Sequence, residues 1–108
     1  MAKTAKRLAG PAQVSNAAAT KYTVPASTTA IIRHVHIQNP SGSPVSFTMS
    51  IGADAAGVRL FDALSIPAVS PYDWYGYVVV TAAEIVQAFA GTNNILTLTI
   101  FGDELTPG

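Results

Sequence analysis

Two histidines, His34 and His36, have the clearest chemical potential in this sequence of 108 residues. They stand two positions apart in an alternating stretch, so on a β-strand both would lie on one face with Cα atoms about 7 Å apart. Imidazole nitrogens bind metals well, and the chain has no cysteine, so a third ligand would have to be Asp62, Asp73 or Glu84. The alternatives are a hydrogen-bonded pair on a solvent- or subunit-facing strand, or a pH-sensitive interface. We predict no metal ligands and no cofactor.

The sequence has no motif typical of an enzyme. No nucleophile elbow surrounds a serine, and no pair of carboxylates has a spacing suited to glycoside hydrolysis. Residues 52–57 (GADAAG) lack the Lys-Ser/Thr that completes a phosphate-binding loop. We therefore predict no catalytic residues and no enzymatic activity.

Four aromatic residues share one strand-like segment. Tyr72 and Trp74 have one parity, and Tyr75 and Tyr77 have the other. One face of this strand is expected to be core. The other could be a subunit interface or a platform for sugars, because aromatic rings are enriched at interfaces and also stack on sugars. Simple packing beneath a neighbouring loop is the remaining alternative.

The histidines belong to residues 28–52, where two alternating runs flank the turn-like sequence NPSGSP at residues 39–44. Period-two alternation indicates half-buried strands, and Pro, Gly, Ser and Asn favour a turn. We predict a β-hairpin whose first run places Ile31, Val35 and Ile37 in a core. The two histidines would lie on its opposite face.

The rest of the chain repeats this pattern of short strands and turns. Gly76 predicts a bulge or a bend in its strand, and residues 91–94 predict a second hairpin loop. The seven predicted strands are residues 21–24, the two runs of the first hairpin, 58–66, 72–80, 85–90 and 95–101. Such spacing is typical of an antiparallel sandwich. The predicted fold is all-β: a single antiparallel β-sandwich or jelly-roll-like domain at residues 20–105, an extended N-terminal arm at 1–19 and a C-terminal tail at 106–108.

Charge is scarce and unevenly placed. Only 11% of residues are charged, against about 25% in typical domains, and the net charge is zero. Covered subunit surfaces would explain the deficit, and no nucleic-acid or membrane partner is indicated. Basic residues dominate the N-terminal part, where no acid precedes Asp54. A basic arm could dock on a partner or remain a solvated tail. The N-terminus lacks a secretory apolar region and no apolar run is long enough to span a membrane, so we expect synthesis and folding in a cytoplasm.

Several short stretches resemble small virion proteins of tailed bacteriophages. They are LAGP (8–11), YTVPASTTA (22–30), IQNPSGS (37–43), FTMSIG (47–52) and LTLTIFG (96–102). The resemblance covers most of the chain and implies a structural component of a phage particle, located in the virion after assembly in the host cytoplasm. It carries no catalytic residues.

From the resemblance and the basic arm together, we predict a capsid decoration, or cement, protein. It would form a symmetric homo-oligomer such as a trimer and bind the major capsid protein or other virion proteins. The alternatives are a tail- or fibre-associated component, and a carbohydrate-binding sandwich that uses the aromatic strand. The predicted capsid or subunit contacts are Lys3, Lys6, Arg7, His34, His36, Tyr75 and Tyr77.

Overall fold

The protein is an eight-stranded β-sandwich in a computed structural model that describes residues 2–107. Met1 and Gly108, which belong to the predicted arm and tail, lie outside the described residues. The strands are β1 (Ala2–Gln13), β2 (Ala19–Thr23), β3 (Thr29–Asn39), β4 (Val45–Ile51), β5 (Arg59–Ile66), β6 (Ser70–Val80), β7 (Ile85–Ala90) and β8 (Thr97–Thr106). A three-residue 3₁₀ helix, Ala56–Val58, precedes β5. No helix within residues 2–107 is both long and apolar enough to cross a membrane.

Two antiparallel four-stranded sheets pack face to face. Sheet 1 has the order β1-β8-β3-β6, and sheet 2 has the order β2-β7-β4-β5. This is the strand order of an eight-stranded jelly roll. The predicted all-β sandwich is confirmed, and all seven predicted strands are present.

The core lies between the sheets and contains aliphatic and aromatic side chains from both. Phe47 and Met49 of β4 face Ile32, Val35 and Ile37 of β3, and all are fully buried. Ile32 therefore replaces the predicted Ile31, which lies outside this core cluster. The cause is a bulge, since the pairing of β3 with β8 skips from Ile32 to His34 and the alternation changes phase at Arg33.

The stretch predicted as an arm belongs to the sandwich over most of its length. Residues 2–13 form β1, which pairs antiparallel with β8, so the prediction of an arm at 1–19 is wrong for them. The strand is anchored by Leu8, while most of its other side chains are exposed. Val14, just beyond its end, is also buried. An edge strand that buries so few side chains shows no alternation, although β8 supplies its hydrogen bonds. On the same ladder β8 continues to Thr106, beyond the predicted strand end at Phe101 and into the predicted tail.

The predicted hairpin at residues 28–52 is wrong, because β3 lies in sheet 1 and β4 in sheet 2. Its turn is a crossing between the sheets. The buried Asn39 holds this crossing: its amide nitrogen donates to the carbonyl oxygens of Ser43, Ile66 and Pro67 at 2.9, 3.0 and 3.1 Å. Residues 91–94 are likewise a crossing, from β7 to β8, and not a hairpin loop. Of the connections between consecutive strands, only β4 to β5 stays within one sheet.

A bulge at Gly76, which the sequence predicts, is confirmed. The pairing of β3 with β6 passes from Ile32–Val78 to His34–Tyr75, so β6 carries one extra residue there. A Cβ atom at position 76 would lie 2.4 Å from the ring of Trp74. Any other residue at position 76 would therefore force the Trp74 ring to move.

Candidate functional site on the outer face of sheet 1

The outer surface of sheet 1 carries rings and ionisable groups from three of its four strands, β3, β6 and β8. We call this surface the aromatic face and define it by His34, His36, Asp73, Tyr75, Tyr77 and Phe101. The opposite side of the same three strands faces the core. Tyr72 and Trp74 pack inward against the ring of Phe61, with centroid separations of 6.2 and 6.0 Å. The prediction that one side of the aromatic strand is core is thus confirmed.

His34 lies at the centre of a three-ring stack. Its ring is 4.3 Å from Tyr75, centroid to centroid and nearly parallel, and 5.1 Å from Phe101 on the other side. The register explains this arrangement, because His34 pairs with Tyr75 of β6 and with Phe101 of β8. The two neighbours hold the imidazole in one orientation.

Asp73 joins the two histidines. It lies directly opposite His36 in the pairing of β3 with β6. The Nδ1 of His36 and the Nε2 of His34 lie 2.6 and 2.8 Å from the same oxygen, Asp73 Oδ1, so in the bonded arrangement both imidazole N–H groups donate to it. The hydrogen bond from His36, followed by that from His34, holds the pKa of Asp73 below its ordinary value.

The three ligand atoms of this cluster all lie within 4.8 Å of one another. Asp73 is one of the three carboxylates that the sequence offers as a third ligand, whereas Asp62 pairs with Arg59 at 3.0 Å. The sequence could not single out Asp73 because its nearness depends on the strand register. The one available signal is that Asp73 shares its parity with Tyr75 and Tyr77.

The two tyrosines extend the face towards solvent. Tyr75 is 72% exposed and Tyr77 is 61% exposed, and Val79 further along β6 is also exposed. The Arg33 guanidinium lies 5.2 Å from the centroid of Tyr77 while its Nε donates to Asp103 at 2.5 Å. A cation held against a ring in this way fixes the ring at modest energetic benefit.

The basic residues of the predicted arm do not reach this cluster as a group. Lys3, Lys6 and Arg7 are exposed on β1, the edge strand of sheet 1. Lys6 pairs with Glu104 of β8 at 3.1 Å, and Arg7 lies opposite Phe101 in the register. Lysines on an edge strand also oppose unwanted strand pairing, which gives Lys3 and Lys6 a role within the fold.

The described residues enclose no pocket. Small-molecule sites are usually concave, so whatever contacts the aromatic face meets an open surface.

Comparison of the sequence with protein-family models gives no match, and comparison with curated proteins gives no significant match. Comparison of the fold does find similar solved structures. One is described as “Bacillus endospore appendages form a novel family of disulfide-linked pili”; it has a TM-score of 0.57 and 12% identity, and covers 98% of this chain and 89% of that one. At this identity the likeness shows a shared β-sandwich fold. The present chain has no cysteine and therefore cannot form disulfide links.

Proposed function

We propose that this protein is a non-enzymatic structural subunit that assembles with copies of itself through the aromatic face. The observation that carries the proposal is the exposure of Tyr75 and Tyr77 beside Phe101 and Val79 on an otherwise well-packed sandwich. Exposed apolar patches on small proteins mark interaction surfaces, and tyrosine is among the residues that contribute most to interfaces.

Composition supports the same proposal. A chain with 11% charged residues solvates its surface poorly, and assembly would cover part of that surface. The absence of a pocket in the described residues favours a protein partner over a small substrate.

Within this class we propose a capsid decoration protein of a tailed bacteriophage, bound to the major capsid protein as a symmetric oligomer such as a trimer. The sequence resemblance supports it, and jelly rolls are a recurrent architecture of viral capsid domains. The fold alone does not imply a function, so this finer proposal depends on the resemblance. The capsid contact would involve the exposed side of β1, with Lys3 and Arg7, and not a free arm.

The second candidate is a component of a tail, a fibre or another filamentous appendage. The fold likeness to a pilus protein favours it. The two candidates differ in location, so immunogold electron microscopy of particles from the producing cells distinguishes them: label on the head supports decoration, and label on a tail or filament supports the second candidate.

A third candidate is a carbohydrate-binding sandwich. Tyr72 and Trp74 are turned towards the core, so only Tyr75 and Tyr77 remain as a sugar platform. A glycan array with no binding would remove this candidate.

Assembly is tested by light scattering of the purified protein as a function of concentration. We expect an oligomer in the unmodified protein and a monomer in the double variant Tyr75→Ser/Tyr77→Ser. Val69→Ser is the matched control, because Val69 is 70% exposed but lies in the connection before β6. An unmodified protein that remains monomeric up to its solubility limit would contradict self-assembly.

A further inference from the structure

We propose that His34, His36 and Asp73 form a surface site for a late first-row divalent cation, with Zn²⁺ as the representative ion. All three ligands come from one chain, so the proposal does not require the protein to assemble, although the cluster belongs to the aromatic face.

The strand register brings the three ligands together. His34 and His36 stand two residues apart on β3 and thus lie on one face, and Asp73 lies opposite His36 on β6. Antiparallel neighbours are only about 4.5–5.5 Å apart at their Cβ atoms, so side chains of this length converge on a common point.

The distances suit coordination with small adjustments. Zn²⁺ binds histidine nitrogen and carboxylate oxygen at about 2.0–2.2 Å, which places neighbouring ligand atoms of a tetrahedral site about 3.3 Å apart. Asp73 Oδ1 lies 2.8 Å from His34 Nε2 and 2.6 Å from His36 Nδ1. The two nitrogens would have to lie about 0.5–0.7 Å further from Asp73 Oδ1 to admit the ion, and all three atoms already lie within 4.8 Å of one another.

The surrounding residues hold the His34 ring in place and pair Arg33 with a carboxylate other than Asp73. The stack of Tyr75 and Phe101 holds the His34 ring in place, which lowers the entropy lost on binding. Arg33, which follows Ile32 at the bulge, is paired with Asp103 and lies over Tyr77. The carboxylate of Asp73 is therefore left to the two imidazoles.

The donor set determines the class of ion. Two imidazoles and one carboxylate suit Zn²⁺, Cu²⁺ or Ni²⁺ better than Mg²⁺ or Ca²⁺, which prefer oxygen ligands. Three protein ligands on an open surface leave at least one coordination position for water or for a donor from another molecule.

The test is isothermal titration of the tag-free, chelator-treated protein with ZnCl₂ in a non-coordinating buffer, since a histidine tag would itself bind the ion. We expect one Zn²⁺ per chain in the unmodified protein. In His36→Gln and in Asp73→Asn the affinity should fall by more than the roughly 10–100-fold that loss of an outer-shell partner costs. Asp62→Asn is the control and should keep the affinity within about twofold, because Asp62 lies away from the cluster and pairs with Arg59.

Visible absorption spectroscopy with Co²⁺ is a second experiment, which reports directly on the atoms that bind the ion. Co²⁺ should produce visible absorption typical of nitrogen and oxygen ligation in the unmodified protein and in Asp62→Asn, and not in His36→Gln. Because His36 and Asp73 are both about one-third exposed, their variants should fold, and thermal unfolding without metal checks this. Zinc binding that is absent, or equally tight in His36→Gln, would overturn the proposal and leave the cluster as a hydrogen-bonded clamp.

Discussion

The outer faces of the two sheets differ in how far their polar side chains bond to one another. On sheet 2, polar side chains bond to one another: Ser50 Oγ donates to Asp54 at 2.7 Å, and Arg59 pairs with the same carboxylate at 3.1 Å. Gln87 accepts from the Asp54 backbone at 2.9 Å, and the Arg59 guanidinium covers the ring of Phe89. We call this surface the polar face. Its groups are largely paired with one another.

The aromatic face of sheet 1 keeps its most reactive groups accessible. Its carboxylate, Asp73, is shared by two imidazoles that can both bind other partners, and Tyr75 and Tyr77 project into solvent. The comparison separates a surface whose polar groups bond to one another from a surface whose tyrosine rings stay exposed to solvent. The aromatic face is distinguished by its exposed tyrosine rings and by two imidazoles that share one carboxylate.

The largest expected effect on stability comes from a substitution in the core, which supports both outer faces. Phe47 is fully buried between the sheets, and Phe47→Ala should lower the free energy of unfolding by about 3–5 kcal/mol because it leaves a cavity. Urea denaturation measures the loss. Phe101→Ala, a partly exposed ring on the aromatic face, should cost less than half as much. Equal losses of unfolding free energy in the two variants would show that Phe101 contributes to the stability of the sandwich as much as Phe47 does.

A smaller effect concerns the crossing that separates the sheets. Asn39→Ala removes the donor shared by three carbonyl oxygens and should cost about 2–3 kcal/mol, since buried acceptors then lack partners. Chemical denaturation of this variant beside Ser41→Ala tests it. The Ser41 hydroxyl donates to Asn39 Oδ1 and to the Ser43 carbonyl, so its removal leaves the three bonds from the Asn39 amide nitrogen in place. A loss of stability no greater than that of Ser41→Ala would contradict the role of Asn39.

The polar face should make stability depend on acid. Hydrogen bonds from Arg59, and then Ser50, hold the pKa of Asp54 below its ordinary 3.8. A lowered folded-state pKa contributes stability that is present above pH 3.8 and is lost as the pH falls through the lowered value. Thermal unfolding from about pH 6 to about pH 2 should therefore show Asp54→Asn converging with the unmodified protein at the acid end. A constant difference across the range would show that the ion pair does not contribute.

The smallest effect on stability belongs to the aromatic face. Tyr77→Ser should change the free energy of unfolding by no more than about 0.5 kcal/mol, because its ring is largely solvent-exposed. The same variant, tested alone, should weaken self-association measured by light scattering. A variant that is destabilised by more than about 1 kcal/mol, yet still assembles, would reverse the distinction between the two faces.

Sequence alone predicts seven of the eight strands because period-two alternation depends only on which side of a strand is buried. It does not reveal the sheet to which each strand belongs, as the crossing at Asn39 shows, since that choice is made by distant pairing. Alternation also fails where the backbone adds a residue, which is why Ile32, and not the also buried Ile31, belongs to the core cluster between the sheets. β1 is missed because an edge strand with Leu8 as its anchor has almost nothing to alternate.

The candidate site, like the fold, has a part that local sequence predicts and a part that depends on distant strand pairing. The spacing of His34 and His36 predicts their shared face correctly, because it is local. Asp73 joins His36 across 37 positions of sequence, through a register that also depends on the bulge at Gly76. No local pattern carries that information, so the sequence could name Asp73 only as one of three carboxylates.

The position of β8 has a consequence for how the molecule is made. β8 lies between β1 and β3, although it is the last of the eight strands along the chain. During synthesis β1 therefore has no neighbour in its sheet until the ribosome has released residues 97–106, and β3 has only β6. Of these eight strands, β1 is synthesised before the others but pairs with β8, which is synthesised after them, so a product that stops before β8 would leave β1 without its partner strand.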